Sequence, residues 1–541
     1  MIVQQQNRTK TVIPQILVEE ALTLSNMFDL NELYALELLI AGENQECRFP
    51  GMTRGPVAVL LYYEGRKSLL SSIQLLVQSR NGRAWSLKLN QEIAKVIDRF
   101  TDELKEEGIV IHCIDQLFSL DIVTEYEMLE SNRALGTSKY KRQVLNYLKE
   151  IRQILGDIIY YYAAQSGLNK NETMKLINLI SKKVELDSIG HFDSISTTLI
   201  IALLYQLDVN LLYNCEENDP RIYALPLIRQ KGLSAEVIRQ INNTNFVVPE
   251  IKSIFQFAWS IANKTLLSFP FLENEADRDC EKMFDEAVEN NLFDALIKLI
   301  NEHLSNEEFH MRIIHNFICN FIISMPLKVK EMRDKTDEIG RIIGVYLTEG
   351  LHPPENIPKH FEKLLNFMTL FYSNDKFKLS KEFWPFIEKK EINNRHQSLG
   401  KFLRSIVDSF LSNSLHISII KFLKSLAKSH PFNVFNLIKI SGIHHGAQFS
   451  IEHFVTLFNQ YYKNVFGQVH GPTEISKTAL DSRSFGVSSK ITDLEIDILC
   501  AFLELIETIV KKVSFNQKFS YFVYVVLLIF CSFLTNLILH F

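Results

Sequence analysis

"TSKYKRQVLNYLKEIRQILGDIIYYY", residues 137–162, is the stretch of sequence that decides the fold. Its apolar residues recur at alternating steps of four and three: Val144, Leu148, Ile151, Leu155 and Ile158. This spacing places them on one side of an α-helix and predicts a long helix with one buried stripe. Thr137 or Ser138 is available as its N-cap.

A coiled coil is the sharper interpretation of the same run. The heptad spacing, however, lasts only about two heptads before it meets three consecutive tyrosines, residues 160–162. We therefore predict that this helix packs against neighbouring helices of its own chain.

A second amphipathic helix is predicted over "QEIAKVIDRFTDELKEEG", residues 91–108. Ile93, Ile97, Phe100 and Leu104 follow the helical spacing, and we expect this stripe to face inward. Gly108 supplies the C-terminal stop. The acidic run from Asp102 to Glu107 is assigned to the outer, solvated face.

Other runs are apolar nearly all round, such as "STTLIIALLYQL" (196–207) and "HNFICNFIISM" (315–325). Helices of this kind must be covered on several sides. The 20 glycines and 14 prolines in 541 residues are near half the usual frequencies of about 7% and about 5%, which favours long elements. No period of about 34 or about 40 residues emerges. These features predict an all-α fold, an irregular α-solenoid of stacked HEAT/ARM-like helices.

Charge and cysteine content exclude several classes of protein. The chain has 58 basic and 63 acidic residues, and no basic stripe of the kind that binds nucleic acid stands out. We interpret the tetrapeptide at 139–142 as a solvated helix face rather than a nuclear signal. The seven cysteines lie far apart without a CxxC pair, which is typical of reduced thiols in the cytosol or nucleus. The N-terminus lacks the apolar segment of a signal peptide.

The search for catalytic motifs is negative. The sequence contains no Walker loop, GxGxxG after a strand, GxSxG elbow or HExxH. His310 and His315 are five residues apart, so they are expected on different helix faces. His444, His445 and His453 lack clustered carboxylates or thiols and are interpreted as ordinary histidines rather than metal ligands. We expect no catalytic, cofactor-binding or metal-binding residues and no cofactor.

A series of short stretches follows in order along the chain: Glu37-Leu38-Leu39, Ala41-Gly42-Glu43, Phe49-Pro50-Gly51, Thr53-Arg54-Gly55, Val57 to Tyr62, Gln78-Ser79-Arg80, Arg99 to Leu104, Ala202 to Tyr205, Glu307 to Phe317, Met325-Pro326, Lys328-Val329-Lys330 and Ala501-Phe502-Leu503. In these stretches, beginning with the segment at residues 30–85, the chain resembles the N-terminal region of the large inner-ring scaffold nucleoporins, the family of the vertebrate 205-kilodalton nucleoporin and its fungal counterpart. The similarity covers about residues 15 to 513.

This resemblance implies an α-helical solenoid that is a structural piece of the nuclear pore inner ring at the nuclear envelope. It implies partners that dock short segments on the surface, namely the 93-kilodalton adaptor nucleoporin and a small membrane-touching one. It implies no catalytic residues, and direct nucleic acid binding is not expected.

The stretch from Phe49 to Gly55, with the proline that follows it, also has a structural interpretation from its own residues. Pro50 and Pro56 are expected to stop helices, and Gly51 and Gly55 to permit positive φ. For Arg54, a structural role and a partner-binding role both remain open.

The sequence is predicted to divide into a solenoid at residues 1–513 and an apolar tail at 514–541. Within the tail, residues 519–541 contain no Asp, Glu, Lys or Arg and are long enough to span a bilayer. Three interpretations are open: a gene-model artefact, a tail anchor that contacts the membrane, or a buried terminal helix. The rival functions are a tail-anchored helical adaptor of the nuclear envelope and a karyopherin-like transport receptor.

Overall fold

The computed structural model describes residues 2–4, 10–45, 47–132, 134–135, 137–216, 218–354, 357–384, 394–409, 411–441, 449, 453–454, 456–458, 460–461 and 493–513. The chain is divided into two compact units. Unit 1 comprises Met1–Leu207 with Tyr223–Pro249, and unit 2 comprises Asp208–Ile222 with Glu250–Phe541. The predicted tail at 514–541 lies outside the described residues.

In its described residues, unit 1 has helices, one short antiparallel strand pair, β1 (Ile2–Gln4) with β2 (Lys10–Val12), and an isolated bridge between Leu186 and Phe192. The all-α prediction did not include this pair and is otherwise confirmed for the described residues. The helices of unit 1 are α1 (Gln15–Phe28), α2 (Glu32–Glu43), α3 (Arg54–Gln78), α4 (Gln91–Glu106), α5 (Ile109–Ser119), α6 (Ile122–Ser131), α7 (Ser138–Gln165), α8 (Lys170–Lys183), α9 (Ser194–Leu207), α10 (Pro226–Arg229) and α11 (Leu233–Asn243).

Unit 2 is likewise built from helices in its described residues. These are α12 (Ile251–Leu267), α13 (Cys280–Glu289), α14 (Leu292–Leu299), α15 (Glu302–Asn306), α16 (Glu308–Ser324), α17 (Pro326–Thr348), α18 (His360–Tyr372), α19 (Asn394–Val407), α20 (Asn413–Ala427), α21 (Pro431–Ser441) and α22 (Asp493–Val513). Short 3-10 segments of unit 2 lie at Asn210–Tyr213, Pro270–Glu275 and Leu379–Phe383, and a further one, Ile222–Ala224, falls where the chain passes from unit 2 back to unit 1. None of the helices in the described residues combines the length and the apolar character that a membrane crossing requires.

The core of unit 1 is helix α9, which is enclosed on all sides. Every residue from Ile195 to Leu207 is buried, and α9 packs against α7, α8 and α10. On α7 the predicted stripe is confirmed, because all five of its residues are buried: Val144, Leu148, Ile151, Leu155 and Ile158. The tyrosines that follow it also pack inside unit 1, with Tyr160 and Tyr162 buried.

The core of unit 2 is built around α12 and α16, which pack against each other. In the run at 315–325 that we predicted to be covered on several sides, every residue is buried except Asn316, Ile323 and Ser324, which are half-buried. Phe321 stacks on Phe284 of α13, with ring centroids 5.0 Å apart, and meets Phe257 of α12 edge-on at 5.7 Å. Aromatic pairs of this geometry stabilise helix packing beyond their buried area.

Helices α2 and α3 cross closely at Gly42. A Cβ at this position would lie 2.9 Å from the carbonyl oxygen of Arg54. The connection between the two helices turns at Gly51, which has φ +75° as expected. The expectations for Gly55 and Pro56 are wrong, because both lie in the first turn of α3. Proline fits there, since the first-turn N–H groups have no intrahelical acceptor to lose.

Exchanging glycine for alanine in these two helices has opposite effects on stability. We expect Gly42→Ala to lower the free energy of unfolding by about 1–3 kcal/mol, because the added methyl group meets backbone of the neighbouring helix. Gly65 is the matched control: it lies inside α3 and a Cβ there meets nothing within 4 Å. Gly65→Ala raises the free energy of unfolding by about 0.5–1 kcal/mol. Denaturant unfolding followed by circular dichroism measures both, and equal shifts contradict the prediction.

Candidate interaction surface and buried ion cluster

A polar segment between α3 and α4, residues 79–90, is fastened to the end of α7, and we call it the strap. Gln165 Oε1 accepts hydrogen bonds from the N–H groups of Ala84 and Trp85 at 3.1 and 3.3 Å. Gln165 Nε2 donates to a strap carbonyl at 2.7 Å. Only glycine fits at position 82, since a Cβ there would lie 2.7 Å from the Gln165 carbonyl oxygen. The buried amide of Gln165 thus determines the path of the chain into α4.

Arg83 of the strap joins the ends of two core helices. Its Nη2 donates to the carbonyl oxygen of Tyr205 near the end of α9 at 2.5 Å, and to that of Ala163 near the end of α7 at 3.1 Å. Carbonyl groups in the last turn of a helix have no intrahelical partner and carry partial negative charge. A guanidinium group satisfies both helix ends at once.

The side of α4 that packs against the rest of unit 1 carries polar and small residues rather than large apolar ones. Thr101 is fully buried, and its carbonyl accepts a hydrogen bond from the Tyr162 hydroxyl at 2.9 Å. Arg80 donates to the Thr101 hydroxyl at 2.8 Å and pairs with Asp102 at 2.7 Å. Ala94, which lies two turns before Thr101 on the same face of α4, is also buried. Hydrogen bonds therefore decide which face of α4 docks.

Lys105 completes this contact near the end of α4. Its ammonium group donates to the Ser166 hydroxyl at 2.9 Å and to the carbonyl of Gly167, just beyond α7. Burial lowers the pKa of Lys105 to about 8. The group therefore remains mostly charged at neutral pH, and a cation at this end of α7 is favoured by the helix dipole.

The apolar side of α4 points away from the core. Ile93, Val96 and Phe100 are 55%, 68% and 44% exposed. Ile97 and Leu104 are half-buried. The prediction that the stripe of Ile93, Ile97, Phe100 and Leu104 faces inward is therefore wrong. The polar contacts of Thr101 and Lys105 occupy the inner face, and amphipathicity alone does not say which partner a helix prefers.

We call the exposed apolar residues on this side of α4, together with two leucines at the end of the strap, the α4 stripe. It consists of Leu87, Leu89, Ile93, Val96 and Phe100, all exposed. Within the described residues, α4 makes its main helix contacts with α3 and α5. A row of exposed apolar side chains on one helix is typical of a protein-binding surface.

Two charged runs lie where the sequence predicted solvated faces. In the acidic run, Asp102 is exposed and paired with Arg80, and Glu106 and Glu107 are exposed. Gly108 follows with φ +85°, which confirms it as the stop of α4. In the basic run, Lys139 and Arg142 are exposed, and Lys141 pairs with Glu130 at 2.5 Å.

Arg54, for which two roles were open, is held inside unit 1. Its Nε donates to Glu20 of α1 at 2.7 Å, and its Nη1 lies 3.6 Å from Glu43 of α2. The guanidinium group thus connects the first three helices. This geometry favours the structural role.

A cluster of polar side chains, all buried except the half-buried Glu382, lies in unit 2 between α16, α18, α19 and the 3-10 segment that carries Glu382. His315 Nδ1 lies 2.8 Å from the Tyr372 hydroxyl. His315 Nε2 lies 3.5 Å from a Glu382 oxygen and 3.4 Å from the Cys319 sulfur. Arg395 Nε donates to the same Glu382 oxygen at 3.0 Å. We call these five residues the ion cluster.

The ion cluster has a fixed charge arrangement. Burial by itself lowers the pKa of His315, but Cys319 and Glu382 outweigh burial and raise this pKa to about 10. Burial acts to raise the pKa of Glu382, while His315 and Arg395 together hold it below its usual range. Arg395 also donates to the amide oxygens of Asn210 and Asn320 at 2.5 and 2.7 Å. Two cations therefore share one carboxylate.

The same side chains include three possible metal ligands. One donor atom each of His315, Cys319 and Glu382 lies within 4.8 Å of the others. His315 and Cys319 are four residues apart on α16, a spacing visible in the sequence, whereas Glu382 and Arg395 are brought in only by tertiary packing. A divalent cation would join two cations already facing the carboxylate. We therefore interpret the cluster as an ion-pair network.

The remaining histidines and cysteines form no second group of three possible metal ligands in the described residues. His310 lies in van der Waals range of His303, with ring centroids 5.3 Å apart, and does not join the ion cluster. His453 is half-buried, and the predicted neighbours at 444–445 lie outside the described residues. The six cysteines that the structure describes are free thiols: Cys47, Cys113, Cys215, Cys280, Cys319 and Cys500.

Removing the shared carboxylate tests how much the ion cluster contributes to stability. We expect Glu382→Gln to lower the free energy of unfolding by about 3–5 kcal/mol, because Arg395 and His315 lose their buried counter-charge. Glu504→Gln is the matched control, since Glu504 makes an exposed pair with Lys424 at 2.7 Å worth about 0–1 kcal/mol. Denaturant unfolding of the purified variants compares them; a loss below 1 kcal/mol in Glu382→Gln contradicts the assignment.

Buried His416 makes the fold sensitive to mild acid. Burial lowers the pKa of His416 from 6.5 to about 3. Between these values the unfolded chain binds the proton and the folded chain does not, so stability falls as the pH drops below 6.5. The His416→Leu variant has no such proton-binding group. Between pH 7 and pH 5, we expect its free energy of unfolding to fall by about 2 kcal/mol less than that of the parent chain.

The measurement is denaturant unfolding at both pH values. His310→Leu provides a second instance, because burial and the neighbouring His303 lower the pKa of His310 to about 3 as well. If both variants follow the parent pH profile, the two histidines are not buried as neutral groups.

The chain matches known proteins over nearly its whole length. The family described as "Nuclear pore complex scaffold, nucleoporins 186/192/205" covers residues 3–539. The human nuclear pore complex protein Nup205 is 32% identical over 535 residues, which covers 92% of this chain and 26% of that protein. The Drosophila melanogaster Nup205 is 27% identical over 523 residues, covering 93% of this chain and 25% of that protein. The chain thus spans about a quarter of the length of the curated relatives it matches.

These matches run through both compact units and not through one motif. The resemblance that residues 30–85 carry in the sequence is therefore confirmed at the level of the family. The chain belongs to the Nup192 family of nuclear pore complex scaffold proteins, which comprises nucleoporins 186, 192 and 205.

Proposed function

We propose that the chain is a structural constituent of the nuclear pore complex inner ring at the nuclear envelope, where it supports pore assembly and nucleocytoplasmic transport. The observation that carries this proposal is the family match over residues 3–539. The helical fold of the described residues agrees with a scaffold role, because stacked helices offer long surfaces for partners.

The proposed scaffold is an irregular α-solenoid that spans residues 1–513. In support, helices within each unit pack mainly on helices close in sequence, for example α1 on α2, α2 on α3, α12 on α13 and α18 on α20. Helix α9, apolar and fully buried, is the inner layer that such a stack needs. The proposal also assigns no enzymatic activity, since the ion cluster is engaged in ion pairs.

The proposed partners are adaptor nucleoporins, of the 93-kilodalton type and the small membrane-touching type, held through short segments on the surface. The α4 stripe is the surface of unit 1 best suited to such a segment, because its apolar side chains are exposed in a row. Direct binding of nucleic acid is not proposed, given a formal net charge of −5 and no basic stripe.

The scaffold role is assigned to the body of the chain and not to the apolar tail at 514–541. The artefact, membrane-anchor and terminal-helix interpretations of this tail stay open. The anchor makes one distinct prediction, namely that the membrane holds the chain through residues 519–541.

Localisation tests the proposal in the intact chain. We expect a fluorescent full-length chain to give a static rim at the nuclear envelope, because a scaffold exchanges slowly. The paired variant Val526→Lys with Ile529→Lys places two charges within the apolar tail and opposes membrane insertion. Under the scaffold proposal the rim is unchanged. Rim or reticular staining that disappears in the variant supports the tail-anchored adaptor, and fast nucleocytoplasmic exchange after photobleaching supports the transport receptor.

A further inference from the structure

The α4 stripe has the dimensions of a docking site for one helix. Ile93, Val96 and Phe100 lie at steps of three and four on successive turns, and Leu87 and Leu89 extend the row into the strap. At about 1.5 Å per residue, the 16 residues of α4 measure roughly 24 Å. A second helix of about four turns, laid alongside, covers this row by ordinary helix–helix packing.

The inner contacts hold α4 in this orientation. Tyr162, Arg80 and the Ser166 hydroxyl bind its other face through hydrogen bonds. Turning the stripe inward would break these bonds and leave the Arg80 guanidinium group facing apolar side chains, which is costly. The stripe is therefore a standing feature of unit 1 and not a face that can rotate into the core.

Carboxylates border the α4 stripe. Glu92, Glu103 and Glu107 continue the three-and-four spacing along its outer edge. Glu103 is paired with Arg99 at 2.9 Å, whereas Glu92 and Glu107 have no ion pair within the described residues. Of the nearby lysines, Lys95 lies on the far side of the helix and Lys105 is bound to α7. Lys88 is exposed between Leu87 and Leu89, so the carboxylate border is confined to the α4 part of the stripe.

This border discriminates between possible occupants. A second copy of the chain, packed α4 against α4 about a twofold axis, would bring Glu92 and Glu107 against acidic groups of the same kind. An anionic membrane surface would repel the same carboxylates. A helix with lysines or arginines beside its apolar stripe is attracted by them.

We propose that the α4 stripe binds an amphipathic helix of another protein, with a basic border. The apolar side of this helix packs on Ile93, Val96 and Phe100, and its basic side chains pair with Glu92 and Glu107. The inference rests on the proposed function, in which the chain holds short segments of other nucleoporins, and it adds the chemistry that such a segment carries.

Two designed peptides test the proposal on the purified full-length chain. Both are 20-residue helices with leucines spaced by three and four; one has lysines beside the leucine stripe, and its twin has glutamates there. We expect fluorescence anisotropy to show binding of the lysine peptide, weakened by added salt, and at least about tenfold weaker binding of the glutamate peptide. Equal affinity for both peptides overturns the assignment.

Surface variants locate the binding. We expect the double variant Ile93→Ser, Phe100→Ser to bind the lysine peptide at least about tenfold more weakly than the parent chain does. Because both side chains are exposed, the fold is retained, and circular dichroism checks this. Ile189→Ser, at a residue that is 81% exposed elsewhere in unit 1, is the matched control and leaves affinity unchanged. Equal affinity of all three proteins overturns the proposal.

A charge variant tests the acidic border separately. Glu107→Lys lies just beyond α4, where a cation favours the helix, so stability is not lost. We expect this variant to bind the lysine peptide several-fold more weakly, and we expect its affinity to depend less on salt concentration. An unchanged affinity overturns the role of the border.

The rival occupants give different results. Self-association of the chain that the Ile93→Ser, Phe100→Ser variant abolishes assigns the stripe to a second copy and overturns the proposal. Binding to phosphatidylserine vesicles that the same variant abolishes assigns it to membrane and also overturns it. If the lysine peptide does not bind while the nuclear rim is intact, this inference fails and the scaffold role stands.

Discussion

A helix that is apolar on every side has to be enclosed, and this constraint organises each unit. In unit 1 the enclosed helix is α9, in which all residues from Ile195 to Leu207 are buried. Helices α7 and α8 cover it, and α7 in turn packs against α3 and α5. In unit 2 the corresponding stretch is residues 317–322 of α16, all of which are buried, and α16 packs against α12 and α19. Long amphipathic helices therefore surround the apolar ones and separate them from solvent.

Enclosure creates a second requirement, because polar groups at the ends of buried helices lose access to water. Arg83 supplies hydrogen bonds to carbonyl groups near the ends of α7 and α9. The side chain of Gln206 accepts a hydrogen bond from the N–H of Leu168 at 2.8 Å. In unit 2, Arg395 and His315 share the carboxylate of Glu382. Such contacts add little net stability compared with apolar packing, but breaking one leaves a buried charge unpaired. They specify where helices meet.

The same polar contacts explain why unit 1 presents an apolar surface. Thr101 and Lys105 dock α4 through hydrogen bonds, so the side with Ile93 and Phe100 is left outside. This exposed apolar row, on a helix that is held by hydrogen bonds, is the surface that we propose as a partner-binding site.

The sequence by itself determined the class of fold, the buried stripe of α7, the enclosed character of α9 and α16, and the family. These properties depend on residue spacing along one helix, which is local information. Only the tertiary structure decided the outward orientation of α4, the placement of Pro56 within α3, the partners of Arg54, and the meeting of His315 with Glu382 and Arg395. The reason is physical: helical spacing tells which residues share a face, but which face is buried depends on hydrogen bonds and charges supplied by residues far away in the chain.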